Sequence, residues 1–535
     1  MIRRGGFFAY LLLGAAVAAA GQTRDQNWDK CKADDPDTSI AGCTALIVAG
    51  QESKADLASA YFDRGIAYRD KKNYQQALED LDQALQLKPD FAGALNTRGN
   101  VYSDEGETDR AIADYNDAIR LDPSYALAYY NRGNAYGDKK EWQKAILDYD
   151  VYVQKAPTDP DGFNNRGHAY MMDGDYDKAL ADYQAALKID PNHALATYNT
   201  GVAQSDKKNY AQAVASFSRY IALQPSDPDG YESRGNAYRH ETQYDAAIAE
   251  YNHALQVKTD YPLAYYYLGL THGLEAQYDT AITGLNKYVA LEPQDSDGFA
   301  MRGLEYFLKF QYGPAVTDFD KALELQPNRA YAFLERGSAH LLAGQNLPAA
   351  ADFQLSMGVD ASSSTAVYAA LWLHMTKVRM HQTGNDELKE VAQKADLTYW
   401  PGPVLKYYLG QMTEDQLMAA AADPDPETHM GRVCEVNFYL GEDALAHQKR
   451  AAALARFHAV EGSCLKDYVE YGAAMAELKH PAAAPAAPAK APARTPATPS
   501  KTTIGPAAVA GGSFRTTQSA GQDEPSKAMQ AEAKE

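Results

Sequence analysis

The sequence is short of the residues that metal and redox chemistry use: 535 residues hold four cysteines and 12 scattered histidines. No CxxC pair and no histidine cluster occurs, so no metal site and no cofactor is expected. Catalytic fingerprints are missing as well. His240-Glu241 is followed by Thr242, Gln243 and Tyr244, which omits the second histidine of a zinc-protease helix. There is no GxSxG elbow, phosphate loop or dinucleotide fingerprint, so the chain is not expected to be an enzyme. Positive charge is scarce, with 51 Lys and Arg against 71 Asp and Glu, a net charge of −20. That balance argues against nucleic acid and favours neutral or basic protein partners. After His480 aromatic residues almost vanish, and Ala, Pro, Thr, Ser and Gly take over. Residues 481–535 are therefore expected to be an Ala/Pro-rich disordered tail.

The one apolar run of note is at the start. Met1-Ile-Arg-Arg-Gly-Gly is basic, Phe7 to about Val17 is apolar, and Ala18-Ala-Ala20 precedes Gly21. This predicts a secretory signal peptide over 1–20, too short for an integral membrane span, and hence a periplasmic or secreted protein.

What the sequence has in abundance is a repeat. Gly65, Gly99, Gly133, Gly167, Gly201, Gly235, Gly269, Gly303 and Gly337 fall 34 residues apart. An alanine follows each by twelve (Ala77 to Ala349), an aromatic or leucine by sixteen (Leu81 to Phe353), and a proline commonly closes the unit, as at Pro123 and Pro157. This frame resembles the tetratricopeptide repeat. It implies an all-α, right-handed superhelical solenoid of helix hairpins, in which small residues let two helices approach and larger ones fill the seam to the next hairpin. Nine units are expected over 58–361.

Two further regularities accompany the frame. The residue before each glycine pairs with the one fifteen after it: Arg64 with Asp80, Arg98 with Asp114, Arg132 with Asp148, Arg166 with Asp182, Arg234 with Glu250, Arg302 with Asp318, Arg336 with Asp352. Where the arginine is lost the carboxylate is lost too (Thr200 with Ser216, Leu268 with Gly284), which predicts an ion pair between the helices of one hairpin. Asp-rich turns, Pro157-Thr-Asp-Pro-Asp-Gly162, Pro225-Ser-Asp-Pro-Asp-Gly230 and Pro293-Gln-Asp-Ser-Asp-Gly298, recur every 68 residues after Tyr152, Tyr220 and Tyr288. A calcium loop would need a glutamate where Tyr170, Tyr238 and Tyr306 stand; Asp159-Pro160 and Asp227-Pro228 read as helix caps.

One period before Gly65 and Ala77 stand Cys31 and Cys43, which predicts a disulfide-stapled, degenerate cap repeat over 21–57. Cys434 and Cys464 bracket a last hairpin built on Gly441, Ala453 and Phe457, and a second disulfide is expected there, at the start of its first helix and just past the end of its second.

A concave face lined by the first helices is the expected binding surface. Two residues before the glycine come Asn131, Asn165 and Asn199; one after it come Asn100, Asn134, His168 and Asn236; Asn96, Tyr130, Asn164, Tyr198 and Tyr266 lie three before. Asparagine both donates and accepts, so such rows can pair with the backbone of an extended peptide, with the tyrosines supplying stacking area. The alternative is a solvated face whose amides only bond neighbouring helices. The basic constellation that clamps a peptide C-terminus in some relatives is absent, and Asp63, Asp70, Asp104, Asp138 and Asp206 would repel one.

Residues 362–480 are expected to form a helical C-terminal domain, with helices from Ser364 to His381, from Asp386 to Lys394 and after Thr413, then Asp423-Pro-Asp-Pro-Glu-Thr as a breaker. Tyr368, Leu371-Trp-Leu373, Trp400, Tyr408-Leu-Gly410, Asn437-Phe-Tyr-Leu-Gly441, Ala453, Phe457, Glu470 and Tyr471 resemble the C-terminal part of the NlpI-type bacterial envelope proteins. That resemblance implies a non-enzymatic adaptor bringing envelope hydrolases or C-terminal processing proteases together. The family's lipid-bearing cysteine is absent and the array here is longer, so tethering and partner identity do not carry over. The sequence thus points to an adaptor holding extended peptide segments and a protease or cell-wall hydrolase. The alternative is a scaffold in an envelope assembly, for polysaccharide export or wall synthesis, that binds through its convex surface.

Overall fold

The computed structural model describes residues 23–382, 384–464 and 468–479, and the expected leader and tail lie outside them. The described residues form helices and turns, in two compact units, Met1–Glu241 and Thr242–Glu535. No helix among the described residues is long and apolar enough to cross a membrane.

The first unit holds α1 (Arg24–Cys31), α2 (Pro36–Ala49), α3 (Lys54–Asp70), α4 (Tyr74–Leu87), α5 (Ala92–Asp104), α6 (Thr108–Leu121), α7 (Ala126–Asp138), α8 (Trp142–Lys155), α9 (Pro160–Met172), α10 (Tyr176–Ile189), α11 (Ala194–Asp206), α12 (Tyr210–Leu223) and α13 (Pro228–His240). The second holds α14 (Tyr244–Val257), α15 (Pro262–Leu274), α16 (Tyr278–Leu291), α17 (Ser296–Leu308), α18 (Tyr312–Leu325), α19 (Ala330–Leu342), α20 (Asn346–Val359), α21 (Ser364–Arg379), α22 (Asp386–Ala392), α23 (Gly402–Tyr408), α24 (Glu414–Ala420), α25 (Pro426–Ala446), α26 (Arg450–Ser463) and α27 (Val469–Lys479).

The glycine frame acts through a ring. A Cβ on Gly201 would stand 2.6 Å from the Phe217 ring, so only glycine lets the aromatic of the second helix lie flat on the first. The frame alanines Ala77, Ala111, Ala145 and Ala179 are wholly buried where the two helices cross. Between them the chain reverses through one residue of left-handed conformation, Gly106 or Gly174 in some units and Lys140 (φ 57°) in another.

All six arginine–carboxylate pairs whose members lie within one unit form, each bidentate, as in Arg132 Nε to Asp148 Oδ2 at 2.7 Å and Nη2 to Oδ1 at 2.6 Å. A partner the sequence reading missed completes the arrangement. The remaining nitrogen reaches the second helix of the preceding hairpin, at Asp82 from Arg98, Asn116 from Arg132, Asp150 from Arg166, Asn286 from Arg302 and Asp320 from Arg336. One guanidinium thereby fastens three helices.

The Asp-rich turns are helix caps. The side chains of Asp159, Asp227 and Asp295 accept from the backbone N–H two residues on, and each also accepts from the hydroxyl of the preceding Tyr152, Tyr220 or Tyr288. The tyrosine rings fill the space over Gly162, Gly230 and Gly298, where a Cβ would come within 2.6, 2.8 and 2.5 Å. Tyrosine, cap and glycine are one device, and that is why they recur together every 68 residues.

Both disulfides are present. Cys31 and Cys43 join α1 to α2 with Cα atoms 4.5 Å apart, and Cys434 and Cys464 join α25 to the end of α26 at 5.0 Å. Closing the short first loop is worth about 3 kcal/mol by loop entropy, in the first hairpin of the described residues. One detail differs from expectation: α25 starts at Pro426, capped by Asp425, so Cys434 lies well inside the helix and the breaker contributes its own helix start. The helix α23 also forms, leading into the Tyr408-Leu-Gly410 motif.

In the second unit the repeat core passes into a large apolar core around Trp372, wholly buried with Phe353, Phe438, Tyr439 and Phe457.

Candidate functional site: the inner face of the first helices

Along the first unit, successive first helices α3, α5, α7, α9, α11 and α13 touch one another, whereas the second helices of successive hairpins stand apart. The stack curves toward the first helices, and these line its inner face.

A ladder of side-chain bonds runs along that face. Asn131 Nδ2 donates to Asn96 Oδ1 at 3.0 Å, Asn165 Nδ2 to the Tyr130 hydroxyl at 2.9 Å, and Asn199 Nδ2 to Asn164 Oδ1 at 3.1 Å; Tyr198 and Ser233 share a hydrogen bond of 3.0 Å. Each rung joins the residue three before one glycine to the residue two before the next. A second row holds the seam within hairpins: Tyr115 donates to Asn100 at 2.8 Å and Tyr149 to Asn134 at 2.6 Å, while Asn236 donates to Glu232 at 2.5 Å.

The expected binding residues are therefore brought together, and much of their capacity goes to one another. Asn96, Asn164 and Asn236 are buried, and Tyr130 and Tyr198 lie against Tyr152 and Tyr220 with ring centroids 4.8 and 5.0 Å apart. Asn131, Asn165 and Asn199 are partly exposed. Tyr266 offers no stacking area, because it is buried against Tyr267 and Tyr288.

Around this ladder the first unit leaves an open surface. Leu127, Met172 and Leu195 on α7, α9 and α11 are 49, 49 and 60 % exposed. His168 is exposed at the edge of Trp142, with ring centroids 6.1 Å apart, and Asp138 is exposed beside the Tyr149 hydroxyl. The walls still keep water thin. Burial lowers the His168 imidazole and raises the Asp138 carboxyl, and it pushes Asp63 up to about 6 against the pull of Lys32. Asp104 is held by Arg69 at 2.6 Å.

In the second unit the matching positions are closed. Leu270, Leu304 and Ser338, which stand where Asn100, Asn134 and His168 stand in the first, are buried, as are Phe307 and Leu308. Here α27 lies on the inner face: a Cβ on Gly472 would meet the Phe307 ring at 3.1 Å, and the Lys479 ammonium sits 3.9 Å from the Phe310 ring centroid. The sequence reading singled out Glu470 and Tyr471 without recognising this helix. Its run Gly472-Ala-Ala474 was the available signal, small residues that admit a helix into a tight groove.

Comparison with known proteins agrees with the repeat. Models of the tetratricopeptide repeat match residues 58–91 and 160–193, and a TPR repeat model matches 99–140 and 235–274. Among solved structures, YrrB, described as a TPR protein with an unusual peptide-binding site, is 24% identical over 35% of this chain and 96% of its own, with a TM-score of 0.31. A tetratricopeptide repeat protein of Parabacteroides merdae is 18% identical over 52% of this chain and 97% of its own, with a TM-score of 0.37. MamA of Desulfovibrio magneticus is 21% identical over 32% and 98%, with a TM-score of 0.31. Tetratricopeptide repeats are typically non-catalytic scaffolds that mediate protein–protein interaction and peptide binding. The described residues form helices and no strand, and the chain carries tetratricopeptide repeats.

Proposed function

We propose that this protein is a non-enzymatic adaptor whose first unit holds an extended segment of a partner protein on its inner face. The observation that carries this reading is the contrast between the two inner faces, one open and lined by amides, tyrosines and exposed leucines, the other filled by the unit's own helix. An open face with fixed hydrogen-bonding groups at one-repeat intervals suits a backbone in extended form. The −20 charge and the carboxylates Asp63, Asp70 and Asp138 suit a segment that is neutral or basic.

The signal-like residues 1–20 and the two disulfides support a periplasmic or secreted site of action. The resemblance of residues 365–478 to NlpI-type proteins supports an envelope protease or cell-wall hydrolase as the enzyme brought to the held segment. A scaffold that binds through its outer surface has one observation on its side, the exposed Leu347, Leu355 and Val359 on one side of α20.

Variants separate the two. Asp138→Lys with Met172→Lys changes the inner face at positions outside the asparagine ladder, and Leu147→Lys changes the outer face of α8, where Leu147 is 65 % exposed. In affinity capture from envelope extracts the inner variant is expected to lose its partners by roughly tenfold or more, from like-charge contact and lost apolar surface, while Leu147→Lys and Leu355→Lys keep theirs. Partners lost with Leu355→Lys and kept with the inner variant would favour the scaffold.

A further inference from the structure

The second unit contains two buried carboxyl groups that none of the repeat's regularities explains. Glu335 on α19 is 1 % exposed and occupies the position that asparagine holds in the ladder of the first unit. Its Oε2 has no hydrogen-bond partner among the described residues. Glu470 on α27 is 8 % exposed and receives a hydrogen bond of 3.3 Å from the Tyr439 hydroxyl of α25. Glu470 lies near enough to Glu335 for its charge to raise the Glu335 carboxyl.

We infer that α27 is a releasable plug on the inner face of the second unit, seated while Glu335 and Glu470 are protonated and loosened when they ionise. The inference concerns this unit alone and does not rest on the adaptor reading.

The rest of the helix's anchorage is of a kind that can let go. Gly472, Ala473 and Ala474 give close contact but little apolar area per residue, and Met475 is its one large fully buried apolar side chain, with Val469, Tyr471 and Leu478 half-buried against the core. Arg379 of α21 holds Glu477 at 2.8 Å, and it already has Glu442 of α25 at 2.9 Å, so it keeps a partner when α27 leaves. Around the pair and its helix stand acids and phenols: Tyr331 of α19 bonds to Glu335, Tyr439 of α25 bonds to Glu470 and has Glu435 of α25 and Tyr408 of α23 near it, Tyr312 of α18 lies near Glu477, and Glu461 of α26 near Tyr471. Among the described residues no ion pair reaches Glu335 or Glu470. An ionised Glu335 would face an ionised Glu470 with no cation between them, in a site that water does not reach.

Burial is the larger cause in both groups, and it pushes Glu335 up to about 8 and Glu470 up to about 7, with Glu470 adding to the shift of Glu335. A seated helix therefore holds protons that a released one gives up, and seating is favoured most below the ordinary carboxylate range and lost as pH rises toward 8.

Hydrogen exchange of the full chain, corrected for intrinsic chemistry, tests this between pH 5.5 and 8.5. Protection of residues 469–479 is expected to fall at least about 100-fold more than that of α19 and α20. In Glu335→Gln with Glu470→Gln it is expected to be independent of pH. Protection of 469–479 that does not change with pH in the wild type overturns the inference. So does an undiminished fall in the double variant, or an equal loss in α19, which is loosening of the whole unit. Should the double variant fail to fold, the wild-type series with α19 as internal reference decides alone.

Discussion

Replacing Asp148 with alanine is expected to destabilise the first unit by about 3 kcal/mol, since removing one partner of a buried ion pair leaves the other charge uncompensated. Arg132 and Asp148 have side chains 19 and 6 % exposed, so the guanidinium left behind has little water to turn to. It would keep its bond to Asn116, a neutral acceptor. The carboxylate is the larger cause of the raised Arg132 pKa, whereas burial outweighs the arginine at Asp148 itself and lifts that carboxyl above its ordinary value. The pair is therefore held by its forked geometry against a real desolvation cost.

The chain itself carries the control. Where the arginine is Thr200, the hydroxyl bonds to its own helix at Ala196 O, 2.6 Å away, and Ser216 takes the carboxylate's place. The pair Arg132→Thr with Asp148→Ser is accordingly expected to recover to within about 1 kcal/mol of the wild type, about 2 kcal/mol better than the loss of the carboxylate alone, so that a double-mutant cycle by urea denaturation is non-additive by at least about 2 kcal/mol. Additive losses would mean that the pair does not act as a unit.

Trp372→Ala is expected to cost about 4 kcal/mol, the range for removing a large aromatic from a core, and the loss should appear in the unfolding of the second unit alone. Trp372 is buried with Phe438 and Phe353 at ring-centroid distances of 5.5 and 6.1 Å, in a core that gathers side chains from α19 through α27. The repeats of the first unit hold instead small separate clusters, such as Ala77, Leu81, Ala84, Ala94 and Val101. A cavity in a repeat is felt by its neighbours, whereas one at Trp372 is felt by every element of the domain. Two-step denaturation followed by far-ultraviolet circular dichroism should show the second transition moved and the first unchanged. An equal shift of both would contradict the division into two units.

The frame was legible in the sequence because each position has one physical requirement. Gly201 must admit a ring, Arg132 must meet a carboxylate, and Cys31 stands one period before Gly65. Periodicity exposes such residues, since each recurs with the same spacing. The ladder was half legible: the asparagine row stood out, but its partners lie in the next repeat, at Asn96, Tyr130 and Asn164, and a spacing of 35 is hidden beside a period of 34. That is why Asn131, Asn165 and Asn199 are poor choices for a binding test; alanine there removes inter-helix bonds along with any peptide contact. The helix α27 was not legible as a groove filler. Its Gly-Ala-Ala run looks like any weakly amphipathic segment until Phe307 and Leu308 are seen beside Gly472.

The central claim is that the inner face of the first unit holds a partner. Photo-crosslinking residues placed one at a time at His168 and Leu195 on that face, and at Leu147 on the outer face, test it in the producing cell. The account expects adducts with the same partner proteins from His168 and Leu195 and few or none from Leu147. Adducts from Leu147 with silence at both inner positions would contradict it.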